Sequence, residues 1–407
     1  MARLSFFDRA GRSRTTALGG LFADIREAAR QESDGTMHSV DVIVSGHLCL
    51  DLIPQMDSVP LAELASPGRM FETGPLAIST GGAVSNTGLA LHKLGVPVGL
   101  MASVGSDLLG ELIIAFLNSR DPALSELITV MRGQGSSYTV VMSPEKADRI
   151  FFHYPGTNHE FGVDDVQYSL LTEAKIFHMG YPPILPRLLS NEGEGLAHMY
   201  RRAKEAGVVT SLDMTLPDLL GPSGRVDWRS VLARTLPQVD IFVPSLEETL
   251  FMLRREIYNR GAAYWRSILS ADLLGSITDE LLTMGAAIAG LKLGDRGIYL
   301  KTADTDRVRR LMRLPIDVDQ WAGISVWHPA FAVEVAGTTG AGDSAYAGLH
   351  AALLKGFAPE QAARWACAVG ACNVETFDAT SGVRTWLETE QRLERGWAVR
   401  EELIPGF

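Results

Sequence analysis

Residues 331–343 read FAVEVAGTTGAGD, and SAYAGLHAALLK follows as residues 344–355. Apolar and polar side chains alternate from Phe331 toward Ala336, which is the period of a strand. Gly337, Gly340 and Gly342 then mark a turn, and Ala345, Leu349 and Leu353 fall on one face of the helix it opens. Such a turn gathers unpaired backbone N–H groups at a helix N-terminus, where glycine lets an anion approach and the helix dipole favours its charge. Gly340, Ala341 and Gly342 are therefore expected to form an anion hole. Asp343 has two readings from the residues alone: a carboxylate capping its own helix, or a reacting group beside the bound anion.

A second constellation lies far upstream. Thr80-Gly81-Gly82-Ala83-Val84-Ser85-Asn86 places a glycine pair before another helix start, so that a polar ligand can rest on the backbone while Asn86 offers a donor and an acceptor to a hydroxyl. Its plainer reading is again a turn and a cap. Before it, Val42-Ile43-Val44 ends at Ser45-Gly46 as a buried first strand, with Asp51 a few residues on. After it come helical spacing over 86–94, a stop at Gly95, a strand over 96–104 and a helix from Asp107 to Leu117. This alternation predicts a parallel sheet covered on both faces. Tyr138, Val140 and Met142 alternate instead with polar neighbours, and with Ile150–Tyr154 they predict a half-exposed β flap.

Core strands are expected again at 176–179, 208–213 and 241–243, then a strand, turn and strand over 287–301. Residues 254–284 are helical and long for a connection, which suggests an insertion. Arg307, Arg309, Arg310 and Arg313 read as a solvated surface more readily than as a phosphate contact. Residues 1–37 are read as an N-terminal extension, with an amphipathic helix around 18–30 and no secretory signal, ahead of one domain over 38–407.

The 407 residues are 46% apolar and 21% charged, the profile of a packed globular protein. A net charge of −11 without a basic stripe argues against nucleic acid or an anionic membrane as partner. Cys49, Cys367 and Cys372 fit neither a disulfide framework nor a zinc site, so a reducing cytoplasm is expected. His47, His153 and His178 show no ligand spacing and read as structural or surface residues, and Trp321 and Trp327 read as core.

Taken together, the two glycine constellations resemble the paired signatures of the ribokinase-like (PfkB) carbohydrate kinases. The first spans Gly81 to Gly110 with Asn86, Gly95, Val104-Gly105 and Asp107; the second ends at Gly342-Asp343. Between them, Pro155-Gly156-Thr157-Asn158 is similar to the family's Gly-Ala-Asn element, and Lys292-Leu293-Gly294 to Gly297 is similar to its nucleotide-side turn. The resemblance covers roughly 42–387. It implies a three-layer α/β core, a mostly parallel sheet and a small β-sheet lid with strands from about 47–60 and 134–160.

The resemblance further implies Asp343 as general base and the turn 340–342 as anion hole. Asp51, Gly81, Gly82 and Asn86 would hold the acceptor, and Lys292, Gly294, Gly297, Thr338 and Asn373 the nucleotide. ATP would be the phosphoryl donor, with Mg²⁺ organised indirectly by Glu248. Two departures stand out: Ser245 replaces the Asn of the family's Asn-x-x-Glu element, and Gly337 replaces an Asp that helps bind a monovalent cation. Magnesium use is expected to survive these changes better than potassium use. The implied activity is phosphorylation of a hydroxyl of an unphosphorylated sugar or polyol. A nucleoside kinase, and an inactive sugar- or nucleoside-binding sensor, are the alternatives, and a homodimer through the lid is the expected assembly.

The chemistry is coherent in itself. An alcohol needs a carboxylate to take its proton as it attacks phosphorus, and the transferring group needs alignment and charge stabilisation. No Gly-x-Gly-x-x-Gly follows the first strand, where Ser45-Gly46-His47-Leu48 stands, and no Walker motif occurs, which removes a dinucleotide oxidoreductase and a P-loop enzyme.

Overall fold

Val42, Ile43 and Val44 are all buried, yet Val42 and Val44 join one apolar cluster and Ile43 another. Successive side chains of a strand point to opposite faces, so a run apolar at every position needs cover on both. Ile241 and Phe242 divide in the same way, as do Ile288 and Ala289. In the computed structural model these strands belong to a nine-stranded sheet between two helical layers. The structure describes residues 39–407 except 57–58, 65–66 and 145–149, together with the strands Leu4–Phe7 and Ser13–Thr16.

The chain separates into two units, Met1–Ser39 and Val40–Phe407. In the first, Leu4–Phe7 pairs antiparallel with Ser13–Thr16; the helix expected around 18–30 lies outside the described residues. In the second, the sheet runs in the order Ser325–His328, Ile298–Thr302, Ile288–Lys292, Ile241–Phe242, Val209–Asp213, Ile176–Gly180, Val42–Gly46, Val98–Gly105, Ile128–Met131. All neighbours are parallel except the two pairings made by Ile298–Thr302, which are antiparallel. Helices Ala83–Lys93, Ala341–Leu354 and Pro359–Asn373 cover one face through Val84, Tyr346 and Val369. Pro186–Glu205, Trp228–Thr235 and Ala271–Met284 cover the other through Leu196, Val231 and Leu274.

From Val42–Gly46 the chain first builds outward to Ile128–Met131, then returns to the other side of the starting strand with Ile176–Gly180. The order therefore reverses between these two strands, and in open α/β sheets the crevice at such a reversal, outside the carboxyl ends of the strands, takes ligands. Gly46 and Gly180 lie opposite each other there.

A second, four-stranded sheet runs in the order Leu76–Gly81, Cys49–Pro54, Tyr138–Met142, Ile150–Tyr154. Leu76, Ile78, Phe151, Phe152 and Tyr154 on its outer strands are exposed. Asn158 ties this sheet to the core: its Nδ2 donates to the Leu48 carbonyl at 2.9 Å and its Oδ1 accepts from the Leu48 N–H at 3.4 Å. Asp107, the cap of helix Leu108–Asn118, does the same from below by accepting from Gly110 N at 2.9 Å, Ser136 N at 2.8 Å and Ser136 Oγ at 2.5 Å. A Cβ at Gly105 or Gly110 would collide with backbone at this crossing, so this part of the first signature serves the joint between sheets.

Two expectations are corrected. Residues 331–336 do not form a strand: Phe331 makes only an isolated bridge to Val399, because Pro329, which lacks an N–H, ends the ladder after Ser325–His328. The basic group is a solvated surface only in part, at the exposed Arg309 and Arg313. Arg307 and Arg313 donate to the carbonyls of Leu282 and Thr172, and Arg310 Nε bonds the fully buried Asp240 Oδ1 at 2.9 Å, all of which pin the ends of core elements. Residues 254–284 hold helical segments as expected, Arg255–Tyr258, Ala262–Ser267 and Ala271–Met284, of which the last joins the core. Among the described residues no helix is long and apolar enough to cross a membrane.

Candidate active site

Gly340 caps the helix Ala341–Leu354 in the left-handed region, φ 72°, and a Cβ there would collide with the Ala379 carbonyl. Asp343 therefore sits inside the first helical turn and is buried. Its carboxylate does not cap its own helix. Instead Oδ2 accepts from Tyr181 OH at 2.7 Å and Asn86 Nδ2 at 3.0 Å, and Oδ1 accepts from Thr87 Oγ1 at 3.3 Å. The two distant glycine constellations thus meet at one carboxylate, which the capping reading does not explain.

Tyr181 enters the site through strain. It follows the strand end Gly180 with φ 68°, in the left-handed region that a bulky side chain rarely adopts, and such outliers gather at functional sites. Burial, then the Asp343 and Asp213 carboxylates, holds its hydroxyl well above the usual range, so it stays a donor.

On the side of the small sheet, Gly81 lies against the Asp51 carboxylate and Gly82, φ 87°, against the His47 ring, each too close for a Cβ. Asp51 stands on the inner strand Cys49–Pro54, within reach of the Cys49 thiol at 3.4 Å. Burial pushes its carboxyl up to about 6, although hydrogen bonds from Cys49 and Thr139 oppose this. His47 is buried with neither ring nitrogen bonded, its ring 5.1 Å from that of His153 and 6.2 Å from that of Tyr181. Asn86 Oδ1 is likewise buried without a partner. Unpaired buried polar atoms are rare, and Asn86 carries one of them on the same side chain that bonds Asp343.

On the other side lies a cleft of about 540 Å³. Lys292, Gly294, Gly297, Thr338, Glu248, the turn 340–342 and Asp343 all line it. Lys292 Nζ donates to both oxygens of Asp213, at 2.6 and 2.7 Å, and lies close enough to Gly342 that a Cβ there would sit 3.1 Å away. Burial alone would pull the Lys292 ammonium down, but Asp213, Glu248 and Asp343 outweigh it and hold it above its ordinary range. Asn373 does not line the cleft; its Nδ2 donates to the Thr339 carbonyl at 2.8 Å and so supports the turn from behind.

The departure at Ser245 has a local reason. Its Oγ accepts from Glu248 N at 3.1 Å while Glu248 Oε2 accepts from Ser245 N at 2.7 Å, a reciprocal capping box on helix Leu246–Leu253. The Glu248 carboxylate is thereby fixed at the rim of the cleft. Tyr181, Thr87 and Asp213 were not singled out by sequence. Asp213 had a readable signal, a carboxylate at the carboxyl end of a core strand; Tyr181 had only its place after Gly180.

Residues 40–386 match the model of the pfkB family carbohydrate kinases. An uncharacterized sugar kinase of Archaeoglobus fulgidus is 25% identical over 296 residues, 72% of this chain and 98% of the relative. The 2-dehydro-3-deoxygluconokinase of Bacillus subtilis is 22% identical over 340 residues, 83% of this chain and 93% of the relative. A ribokinase of Arabidopsis thaliana solved with ribose and ATP superposes with a TM-score of 0.64 at 17% identity, covering 88% of this chain and 99% of that one. With a ribokinase-like fold and a family match across nearly all of its larger unit, the chain belongs to the pfkB family of carbohydrate kinases and is an ATP-dependent phosphotransferase.

Proposed function

We propose that this enzyme phosphorylates a hydroxyl of an unphosphorylated sugar or related polyol, with Asp343 as the base that takes the hydroxyl proton. The observation that carries this reading is that Asp343 lines the cleft beside the turn 340–342 while its carboxylate is bonded by Asn86 and Tyr181. The attacking oxygen would lie beside Asp343 while the turn amides and Lys292 stabilise charge on the transferring group. Ala83, directly after the Gly81-Gly82 pair, brings no charge to meet a phosphate on the acceptor, which would need charge-assisted contacts there. ATP consumption with free sugars, polyols, sugar phosphates and nucleosides is the test. Turnover of free sugars or polyols above the others is expected; preference for a phosphorylated sugar or a nucleoside would replace this acceptor class.

The cleft fits Mg²⁺ by charge. Asp213, Glu248 and Asp343 face one lysine, whereas among the described residues no group of three His, Cys, Asp or Glu is placed to bind a metal directly. Glu248 would therefore hold Mg²⁺ through water, and bound Mg²⁺ would neutralise the triphosphate.

Asp51 gives a pH signature. Its carboxylate accepts the acceptor's hydroxyl protons only when ionised, and its free-state value is about 6. kcat/KM for the acceptor should fall as pH drops below about 6, roughly tenfold per unit. At saturating acceptor the limb should move to lower pH, because bound hydroxyls favour the charged form. An Asp51→Asn variant that retains the same limb would assign it elsewhere.

Potassium should matter little. Gly337 supplies no side-chain oxygen, and it packs against the backbone of Thr376 and Phe377, where a Cβ would lie 3.0–3.1 Å away. A cation there would have only neutral ligands. Rates at fixed ionic strength should be flat when potassium replaces a bulky organic cation. A tenfold rise, about 1.4 kcal/mol in barrier, would show a working site without the carboxylate.

A further inference from the structure

The family match ends at residue 386, but the chain continues through helix Trp386–Glu394 and a segment that returns to the cleft. That segment is fixed at several points. Ala332 N donates to the Ala398 carbonyl at 2.9 Å, Arg400 N donates to the Ala330 carbonyl at 2.8 Å, and Val399 bridges Phe331. Trp397 stacks on Phe331 with centroids 4.5 Å apart, Glu402 pairs with Arg296 at 2.9 Å, Ile404 is buried, and Phe407 stacks on Trp327. Backbone held this way sets where Arg400 stands.

Arg400 lines the same cleft as Lys292 and Asp343. Its side chain is half-buried and makes no hydrogen bond, ion pair or ring contact with the described residues, whereas nearby Arg296 and Arg392 are paired. Ala330 and Phe331, held against its backbone, line the cleft as well, as do the apolar Val333, Ala366 and Cys367. The turn 340–342 and Lys292 supply its polar part. With the triphosphate of ATP at the turn, the base would rest among these apolar side chains. A planar, weakly hydrated guanidinium without a partner suits the π face of a purine.

We propose that Arg400, from outside the family's conserved span, is a nucleotide-binding residue that stacks on the adenine. The inference rests on ATP as donor but not on the identity of the acceptor. Its test is direct binding of ATP, AMP and adenosine to the full chain by calorimetry, without acceptor. Arg400→Ala should weaken all three on the order of tenfold, Arg400→Lys should recover only part of the loss, and the melting temperature of the ligand-free protein should not move. Wild-type affinity in Arg400→Ala would overturn the assignment. A loss confined to ATP would also overturn it, in favour of a phosphate contact. A wild-type protein that binds no ATP would remove the donor reading together with this inference.

Discussion

Asp343→Asn should lower kcat by about 10² or more while leaving the affinities for ATP and acceptor near those of the parent enzyme, the scale expected for loss of a general base. The substitution is nearly isosteric, and the surrounding hydrogen bonds tolerate it. The amide oxygen can keep the bonds from Tyr181 and Asn86, which both reach Oδ2, and the amide nitrogen then faces Thr87 Oγ1, a hydroxyl that can turn from donor to acceptor. Folding and ground-state binding are therefore preserved while proton abstraction is lost. Single-turnover kinetics with calorimetric affinities would separate the two; a kcat within a few-fold of the parent would remove Asp343 from the chemistry.

Lys292→Met should be nearly as damaging for a different reason. Lys292 is the charged partner of both Asp213 oxygens, and the Asp213 side chain is almost fully enclosed. Removing one member of a buried pair leaves an uncompensated charge at a cost of about 3–5 kcal/mol. The loss of stability should shrink as pH falls, because protonation of Asp213 removes the unpaired charge. Asp213→Asn in the same chain should restore part of the stability without restoring ATP turnover, since the cleft still lacks its ammonium. Urea unfolding of the single and double variants would measure the coupling, and additive losses would mean that the pair does not act as a unit.

How much of this was legible depends on how locally each feature is encoded. The strand-by-strand alternation and the turn Gly340-Ala341-Gly342-Asp343 were readable because period and glycine placement are local. The segment 331–336 was misread as a strand because alternation does not reveal that Pro329 has already ended the ladder. The ion pair of Lys292 with Asp213 joins residues 79 apart that meet through the order of the sheet. Only the topology makes it visible. Tyr181 reaches Asp343 through a left-handed backbone that residue type argues against. The buried contacts of Arg307 and Arg310 were hidden because a charge run carries no sign of the carbonyls and carboxylates it will meet. The strand Leu76–Gly81 was likewise not assigned to the small sheet, since its exposed outer positions follow no clear two-residue rhythm.

Transfer of the terminal phosphoryl group of ATP to a free hydroxyl at Asp343 can be followed by ³¹P NMR of the purified protein with Mg-ATP and unphosphorylated sugars or polyols. One phosphomonoester resonance should grow in step with ADP, and Asp343→Asn should abolish it on the same timescale. ADP accompanied only by inorganic phosphate, or an ester formed equally fast by the variant, would contradict transfer at Asp343.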